Sequence, residues 1–294
     1  MRSGLKCRKG PAKIVGPFLF YGMGVPFRFW GPHDIVCPYD YGQPAWDGSR
    51  VSSLLITNHF GLGDTIMMWR FVPQVMSMVD HIVFRCDEEL VTLFSQFDIE
   101  IINKEADKPV FDSVIDMSAI PEVLKIKTEN VSGEPYLKVA QQDNLPSVNL
   151  SKFSGIKVGI CWCGNPFNPR DVGRSLSPNA FEMLSAAPNL CMFSIQKHMP
   201  PPDYMRDLRP FMADMNCTAY LIDQLDLIIT VDTSVAHLAG AMGRPVWMIL
   251  TQPQDIRWEQ KGDDTGWYDS MRIFRMKQNP DELIWELCAA LAQF

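Results

Sequence analysis

The sequence lacks the features that mark several large classes of protein. It contains no run of about 18 apolar residues, so we expect no membrane-spanning helix. Its 8 cysteines form no C-x-x-C pair and no cluster with histidine, which argues against a zinc motif and indicates reduced packing residues. The formal net charge is −7, so no overall basic field favours nucleic acid.

A secretory leader is not indicated either. Residues 13–27 are apolar and follow a basic head, but prolines and glycines interrupt them and no small-residue cleavage site follows. We therefore expect a cytoplasmic protein. The basic head is either a solvated terminus or a contact with phosphate or lipid. Its members are Arg2, Lys6, Arg8, Lys9 and Lys13.

The 294 residues are long enough for two domains of ordinary size. Residues 1–50 are rich in proline, glycine and aromatics and predict an irregular N-terminal segment. Strand and helix patterns alternate over 51–150 and again over 155–294, joined by a polar linker at about 128–154. This α/β alternation predicts two Rossmann-like lobes with parallel sheets that face each other across a cleft, where open sheets of this kind bind ligands.

Two of the helices in this pattern have bounds that depend on a glycine turn or a proline. One is expected to run from the turn after the first strand to about Val79. Another is expected over 177–187, with Ser177 as its N-cap and Pro178 in its first turn.

The turn after the first predicted strand carries Gly61-Leu62-Gly63-Asp64. Glycines allow a close approach of the backbone to a ligand, and a helix start favours a carboxylate. Plain capping of the helix by Asp64 is the alternative. The turn lacks the third glycine and the later acid of a dinucleotide fingerprint, so that interpretation is poor.

Three stretches of the second lobe suit a phosphate group. The first follows a strand with Gly164 and Asn165 and then a polar loop with Arg170 and Arg174. The alternative is an ordinary loop with surface arginines.

The second stretch follows a buried strand with Asp232-Thr233-Ser234 and then a helix of small residues, whose first amides would form an anion site. His237 in that helix is either a packed side chain or a ligand contact. The third stretch is Gln196-Lys197, at the end of another strand, where a lysine could reach the same phosphates or lie in solvent.

These motifs together resemble a known family. The segments "PAWDGSRVSSLLITNHFGLGDTIMMWRFVP", "VGICWCGNP…GRSLSP", "SIQK", "DLIITVDTSVAHLAGAMGRPVWMIL" and "DIRWEQKGDDTGWYDSMRIFRM" occur in the family's order over roughly 44–294. They are similar to the glycosyltransferase domain of many tetratricopeptide-containing bacterial proteins, which is related to the heptosyltransferases of glycosyltransferase family nine. The tetratricopeptide repeats are absent, and Asn58-His59 stands where relatives often have Glu-Gln.

The resemblance implies a GT-B fold and inverting, metal-independent sugar transfer from a nucleotide sugar, which serves as co-substrate without a further cofactor. It implies that Asp64 is the base and that Arg174 contacts phosphate. It further implies that the block from Asp232 to His237 holds diphosphate and sugar, and that Lys197 matches a Gln-Lys block of the family. The first lobe, with His59, Gly61 and Gly63 in its loop, would read the acceptor.

The acceptor and the activity stay open at this point. A hydroxyl of a glycan or lipid-linked saccharide is the first hypothesis, and a protein side chain or a modified DNA base is the second. A non-catalytic nucleotide- or sugar-binding module is the third. A hydrolase ranks lowest, because the sequence shows neither a G-x-S-x-G elbow nor a paired-carboxylate arrangement.

Overall fold

The computed structural model describes residues 41–143, 145–166, 173–251, 256–258, 262–277 and 279–294. The basic head, most of the predicted segment 1–50 and Arg170 lie outside them. Two parallel β-sheets follow one another along the chain, which confirms the predicted α/β class. No helix in the described parts of the chain is long and apolar enough to cross a membrane.

The first sheet has four strands in the order β3-β2-β1-β4. One of its two inner strands, β1, carries Leu54, Leu55 and Ile56 with no exposed surface, because helices or loops cover both faces. The strands are β1 (Val51–Thr57), β2 (Val79–Cys86), β3 (Glu100–Asn103) and β4 (Ser113–Asp116). The helices are α1 (Leu62–Met68), α2 (Val72–Met76), α3 (Glu88–Phe94) and α4 (Ile120–Val123).

The segment between β1 and β2 differs from its prediction. Instead of one helix to about Val79, α1 ends at Met68, a 3-10 turn covers Trp69–Phe71, and α2 follows. Pro73 occupies the first turn of α2, where its missing N–H costs nothing, whereas one continuous helix would have required that donor. Val79 itself begins β2.

The second sheet has six strands in the order β10-β9-β8-β5-β6-β7. Every residue of its strand β8 is buried, as a continuous apolar run between parallel neighbours predicts. The strands are β5 (Ile156–Cys161), β6 (Leu190–Ser194), β7 (Arg206–Asp207), β8 (Leu227–Val231), β9 (Val246–Leu250) and β10 (Met271–Arg275). The helices are α5 (Met215–Asp223), α6 (Ser234–Ala241) and α7 (Pro280–Leu291).

The predicted α-helix over 177–187 is a 3-10 helix, Pro178–Ala186. Its two fully buried side chains, Phe181 and Leu184, are three residues apart. With three residues per turn, a 3-10 helix places such a pair on one line, so both can face the core.

The two lobes share one apolar core and a tightly bound crossing segment. The main cluster of buried apolar side chains includes Trp69 of the first lobe and Leu238 of the second. The segment after α4 lies against the second lobe, where the Tyr136 amide donates to the Ala241 carbonyl at 2.9 Å and the Gly133 carbonyl accepts from the Asp269 amide at 3.0 Å. The relative position of the lobes is therefore fixed by packing and by backbone hydrogen bonds.

Candidate active site

The amino-terminal ends of two helices, one from each lobe, meet at the cleft. α1 follows β1 after the loop 58–61, and α6 follows β8 after Asp232 and Thr233. A Cβ on Gly63 would lie 2.8 Å from Cδ2 of His237 and 3.2 Å from Cα of Ser234. Only glycine fits at this approach, so Gly63 allows the two helix starts to touch.

Asp64 lies in the first turn of α1 and pairs with an arginine of the opposite lobe. Its Oδ1 accepts a hydrogen bond from Nη1 of Arg257 at 2.5 Å. The Asp64 side chain is 26% exposed and that of Arg257 is 8% exposed. The carboxylate thus lies at the junction of the lobes with one oxygen held by a cation.

His237 is buried in α6 among aromatic rings. Its Nδ1 is 2.9 Å from the hydroxyl of Tyr268, and its ring stacks on Trp258 with the centroids 5.5 Å apart. Burial, followed by the positive charges of Arg257, Arg70 and Arg174, holds the pKa of His237 well below its ordinary value. The imidazole is therefore neutral at physiological pH.

Asp232, directly after β8, lies close to one cation and to the neutral His237. Its Oδ2 is 3.9 Å from Nη1 of Arg174, and its Oδ1 is 3.8 Å from Nε2 of His237. Thr233 is the extended residue before α6, and its hydroxyl is 3.1 Å from that of Thr230. The structure therefore brings Arg174, Asp232, Thr233, Ser234 and His237 together beside Asp64.

Gln196 and Lys197 occupy different environments. The Gln196 side chain is buried, and its Oε1 accepts hydrogen bonds from the Cys163 amide at 3.0 Å and from Cys161 Sγ at 3.4 Å. These bonds fasten the end of β5 to that of β6. Lys197 is exposed at the same edge of the sheet.

The loop after β5 is held by a serine. The Gly164 amide donates to Oγ of Ser175 at 3.3 Å, next to Arg174, and Asn165 is exposed. The donor-binding roles predicted for Gly164, Asn165, Gln196 and Lys197 stay predictions.

The loop before α1 is fixed by two acidic side chains of the first lobe. Nδ1 of His59 is 2.6 Å from Oδ2 of Asp116, whose side chain is 2% exposed. Nδ2 of the buried Asn58 donates to Oγ1 of Thr65 at 2.6 Å and to Oδ2 of Asp87 at 3.3 Å. His59 is thus oriented beside the loop, while Gly61 precedes α1 as its extended N-cap residue.

Known proteins resemble this chain in part of its sequence and in its fold. Residues 205–282 match the family model "Glycosyltransferase family 9 (heptosyltransferase)". The fold is that of Escherichia coli heptosyltransferase WaaC solved with ADP, at 11% identity and a TM-score of 0.50, covering 82% of this chain and 98% of that one. It is also that of a family 9 glycosyl transferase from Veillonella parvula, at 11% identity and a TM-score of 0.50, covering 85% and 91%. No curated protein sequence matches the chain.

The resemblance predicted from the motifs is confirmed by these matches. The chain has a GT-B fold. The tetratricopeptide branch of the prediction has no support of its own among the matches.

The sequence reasoning missed the arginines that lie between the two lobes. Arg257 belongs to a family-like segment, yet no feature of that segment indicates that it meets Asp64. Arg70 lies over the rings of Tyr136, Trp267 and Tyr268 at 4.9, 5.1 and 4.9 Å, and its Nη1 donates to the Ser132 carbonyl at 2.8 Å. No local signal identifies either arginine, because Arg70 contacts Tyr136, 66 positions away, and Arg257 contacts Asp64, 193 positions away.

Asp116 and Tyr268 were also missed. Each orients a histidine: Asp116 contacts His59, and Tyr268 contacts His237. Among the described residues, no group of three or more His, Cys, Asp or Glu side chains is arranged to hold a metal ion.

Proposed function

We propose that the enzyme transfers a sugar from a nucleoside-diphosphate sugar to a hydroxyl group with inversion at the anomeric carbon, without a metal ion. The observation that supports this most directly is the position of Asp64. Its carboxylate, from the first lobe, lies beside the first turn of α6, which is the anion-suited element of the second lobe.

The donor diphosphate would lie at the start of α6. Thr233 and Ser234 bring the backbone amides of a helix start, whose dipole favours negative charge. Arg174 and Arg257 add positive charge nearby. Fixed donors and cations of this kind stabilise the charge that develops on a leaving diphosphate, which is the role that a metal ion fills in other transferases.

The acceptor hydroxyl would attack from the side of Asp64. A bond forms between the acceptor oxygen and the anomeric carbon, the bond from that carbon to the diphosphate oxygen breaks, and the hydroxyl proton passes to the Asp64 carboxylate. Attack opposite to the leaving group inverts the configuration. His237, held neutral, would contact the donor through hydrogen bonding and shape without adding a charge.

We propose a saccharide, free or lipid-linked, as the acceptor. The loop before α1 carries the partly exposed ring of His59 against Phe60, with ring centroids 3.7 Å apart, and the Asp116 carboxylate behind it. Aromatic surface combined with oriented polar groups suits a sugar. The transfer assay should also include protein and duplex DNA as acceptors. Transfer of sugar to either of them would contradict the proposal of a saccharide acceptor.

Asp64→Asn tests the reaction. We expect the variant to retain donor binding and to lose roughly 10²- to 10⁴-fold in turnover, because the proton acceptor is gone. The measurement is nucleotide release with acceptor, using ADP-, UDP-, GDP- and CDP-sugars, with ADP-sugars first because the WaaC structure contains ADP.

Asp80→Asn is the matched control, since Asp80 also pairs with an arginine in the first lobe but is 57% exposed. Equal turnover in wild type and Asp64→Asn would remove Asp64 as the base. Absence of nucleotide binding by the wild type, with or without magnesium, would remove the donor site and favour a different ligand.

A further inference from the structure

The ion pair with Arg257 engages the carboxylate of Asp64, which is the base in the proposed reaction. Nη1 of Arg257 lies 2.5 Å from Oδ1 of Asp64, so the proposed base has one oxygen engaged. A Cβ added to Gly61 would lie 3.9 Å from Oδ2, so the second oxygen faces the glycine turn of the first lobe. An arginine fixed there throughout the reaction would oppose proton uptake by the carboxylate.

Arg257 is anchored through its backbone and its neighbour. Its carbonyl accepts a hydrogen bond from Nε1 of Trp267 at 3.3 Å, and the next residue, Trp258, stacks on His237. The guanidinium therefore extends from a fixed point beside α6 across the junction to Asp64. Because an arginine side chain has several rotatable bonds, the guanidinium can change partner while the backbone stays in place.

The surroundings of Arg257 favour an anionic ligand. The positive charges of Arg257, Arg70 and Arg174 all act on His237 in α6. The described carboxylates paired with two of these arginines are Asp64 and Asp232. A diphosphate at the start of α6 would compete with Asp64 for Arg257, because both are anions within reach of one bidentate donor.

We propose that Arg257 exchanges partners during the reaction: it holds Asp64 while the donor site is empty and turns to the donor diphosphate when the nucleotide sugar binds, which releases the carboxylate for the acceptor proton. This proposal rests on the proposed function. Donor binding would thereby activate the base, and the donor would bind before productive deprotonation of the acceptor.

A double-mutant cycle on nucleotide affinity tests the exchange. The probe is whichever of ADP, UDP, GDP and CDP binds the wild type tightest by calorimetry. Asp64→Asn should tighten its binding by roughly tenfold, because the diphosphate no longer displaces a charged competitor. Arg257→Gln should weaken binding by a similar or larger factor, and Asp64→Asn should have no effect in the Arg257→Gln background.

Matched variants keep the outcome interpretable. Arg272→Gln removes a surface arginine paired with Asp263 in the same lobe and should not change nucleotide affinity. Arg257→Lys keeps the charge, and it provides a second variant if Arg257→Gln does not fold, as judged by its melting curve. In that background Asp64→Asn should still tighten binding, by less than in the wild type, because the lysine has no bidentate fork.

Two outcomes would overturn the proposed exchange of partners while leaving the proposed donor site intact. One is an unchanged or weakened affinity in Asp64→Asn, which would make the pair a static contact between the lobes. The other is tightening by Asp64→Asn that persists in Arg257→Gln, which would assign the effect to general electrostatics. If no nucleotide binds the wild type, the proposed donor site fails, and the exchange fails with it.

Discussion

At the scale of single residues, His237 shows how burial fixes a charge state. The imidazole lies between Tyr268 and Trp258 and is surrounded by arginines, so the folded protein resists its protonation. The unfolded chain has no such resistance, and its histidine binds a proton below pH of about 6.5. Lowering the pH therefore favours unfolding.

We expect the free energy of unfolding to fall as pH drops below about 6.5, by up to about 1.4 kcal/mol per pH unit from His237 alone. Denaturant titrations between pH 5 and pH 8 measure this slope. His237→Asn should flatten it, and substitution of the exposed His198 should leave it unchanged. A slope that persists in His237→Asn would assign the acid sensitivity to another group.

The sequence indicates which residues are candidates for the site, but not which of them contact each other. Asp64 and the block from Asp232 to His237 were predicted as candidates because each follows a strand, and the ends of parallel strands are where such sheets bind ligands. Arg257 was not found because it lies 193 positions from Asp64, and only the packing of the lobes brings the two together. A local sequence pattern cannot predict a contact between residues so far apart in the chain.

At the scale of elements, the contact between α1 and α6 depends on the absence of one side chain. A Cβ on Gly63 would meet His237 at 2.8 Å and the Ser234 backbone at 3.2 Å. The backbone of α6 cannot yield as the end of a flexible side chain would, so the lobes themselves would have to move.

Gly63→Ala should therefore destabilise the protein by about 1–3 kcal/mol or impair nucleotide binding, despite the helix propensity of alanine. Gly61→Ala is the matched control, because its nearest neighbour would be Oδ2 of Asp64 at 3.9 Å. The melting temperature and the nucleotide affinity of both variants test whether a side chain at position 63 disturbs the contact between the lobes. A Gly63→Ala protein with both properties intact would show that the lobes tolerate separation.

Most strands were predicted correctly, whereas some helices and strands were missed or assigned the wrong type. The strands β1 to β6, β8 and β9 were predicted from apolar runs, and the structure has them. Helix α5 was missed although Asp214 caps it by accepting from the Cys217 amide at 2.7 Å. Strand β10 is as long as β8 and β9, but it was missed because Arg272 and Arg275 interrupt its apolar run. The 3-10 helix at Pro178–Ala186 was predicted as α because both start with the same proline signal.

At the scale of the whole molecule, the two lobes are joined by one core. Trp69 stacks on Phe94 at 3.9 Å in the first lobe and belongs to the same apolar cluster as Leu238 in the second. The segment after α4 adds backbone hydrogen bonds between its own residues and the second lobe. We therefore expect the lobes to unfold together.

Trp69→Ala should lower the free energy of unfolding by about 3–5 kcal/mol and shift a single calorimetric transition without splitting it. Trp285→Ala, in a residue that is 63% exposed, should change little. A second transition that stays at the wild-type temperature would show that the second lobe is independent of the first.

The stacking of Trp258 on His237 also has an optical consequence. The fluorescence of an indole depends on the polar and charged groups near it. Trp258 contacts His237 and directly follows Arg257, the side chain that is proposed to move. The difference in emission between the wild type and a Trp258→Phe variant would then follow donor occupancy without a label. Trp258 would then be an intrinsic fluorescent reporter at the place where the two lobes meet.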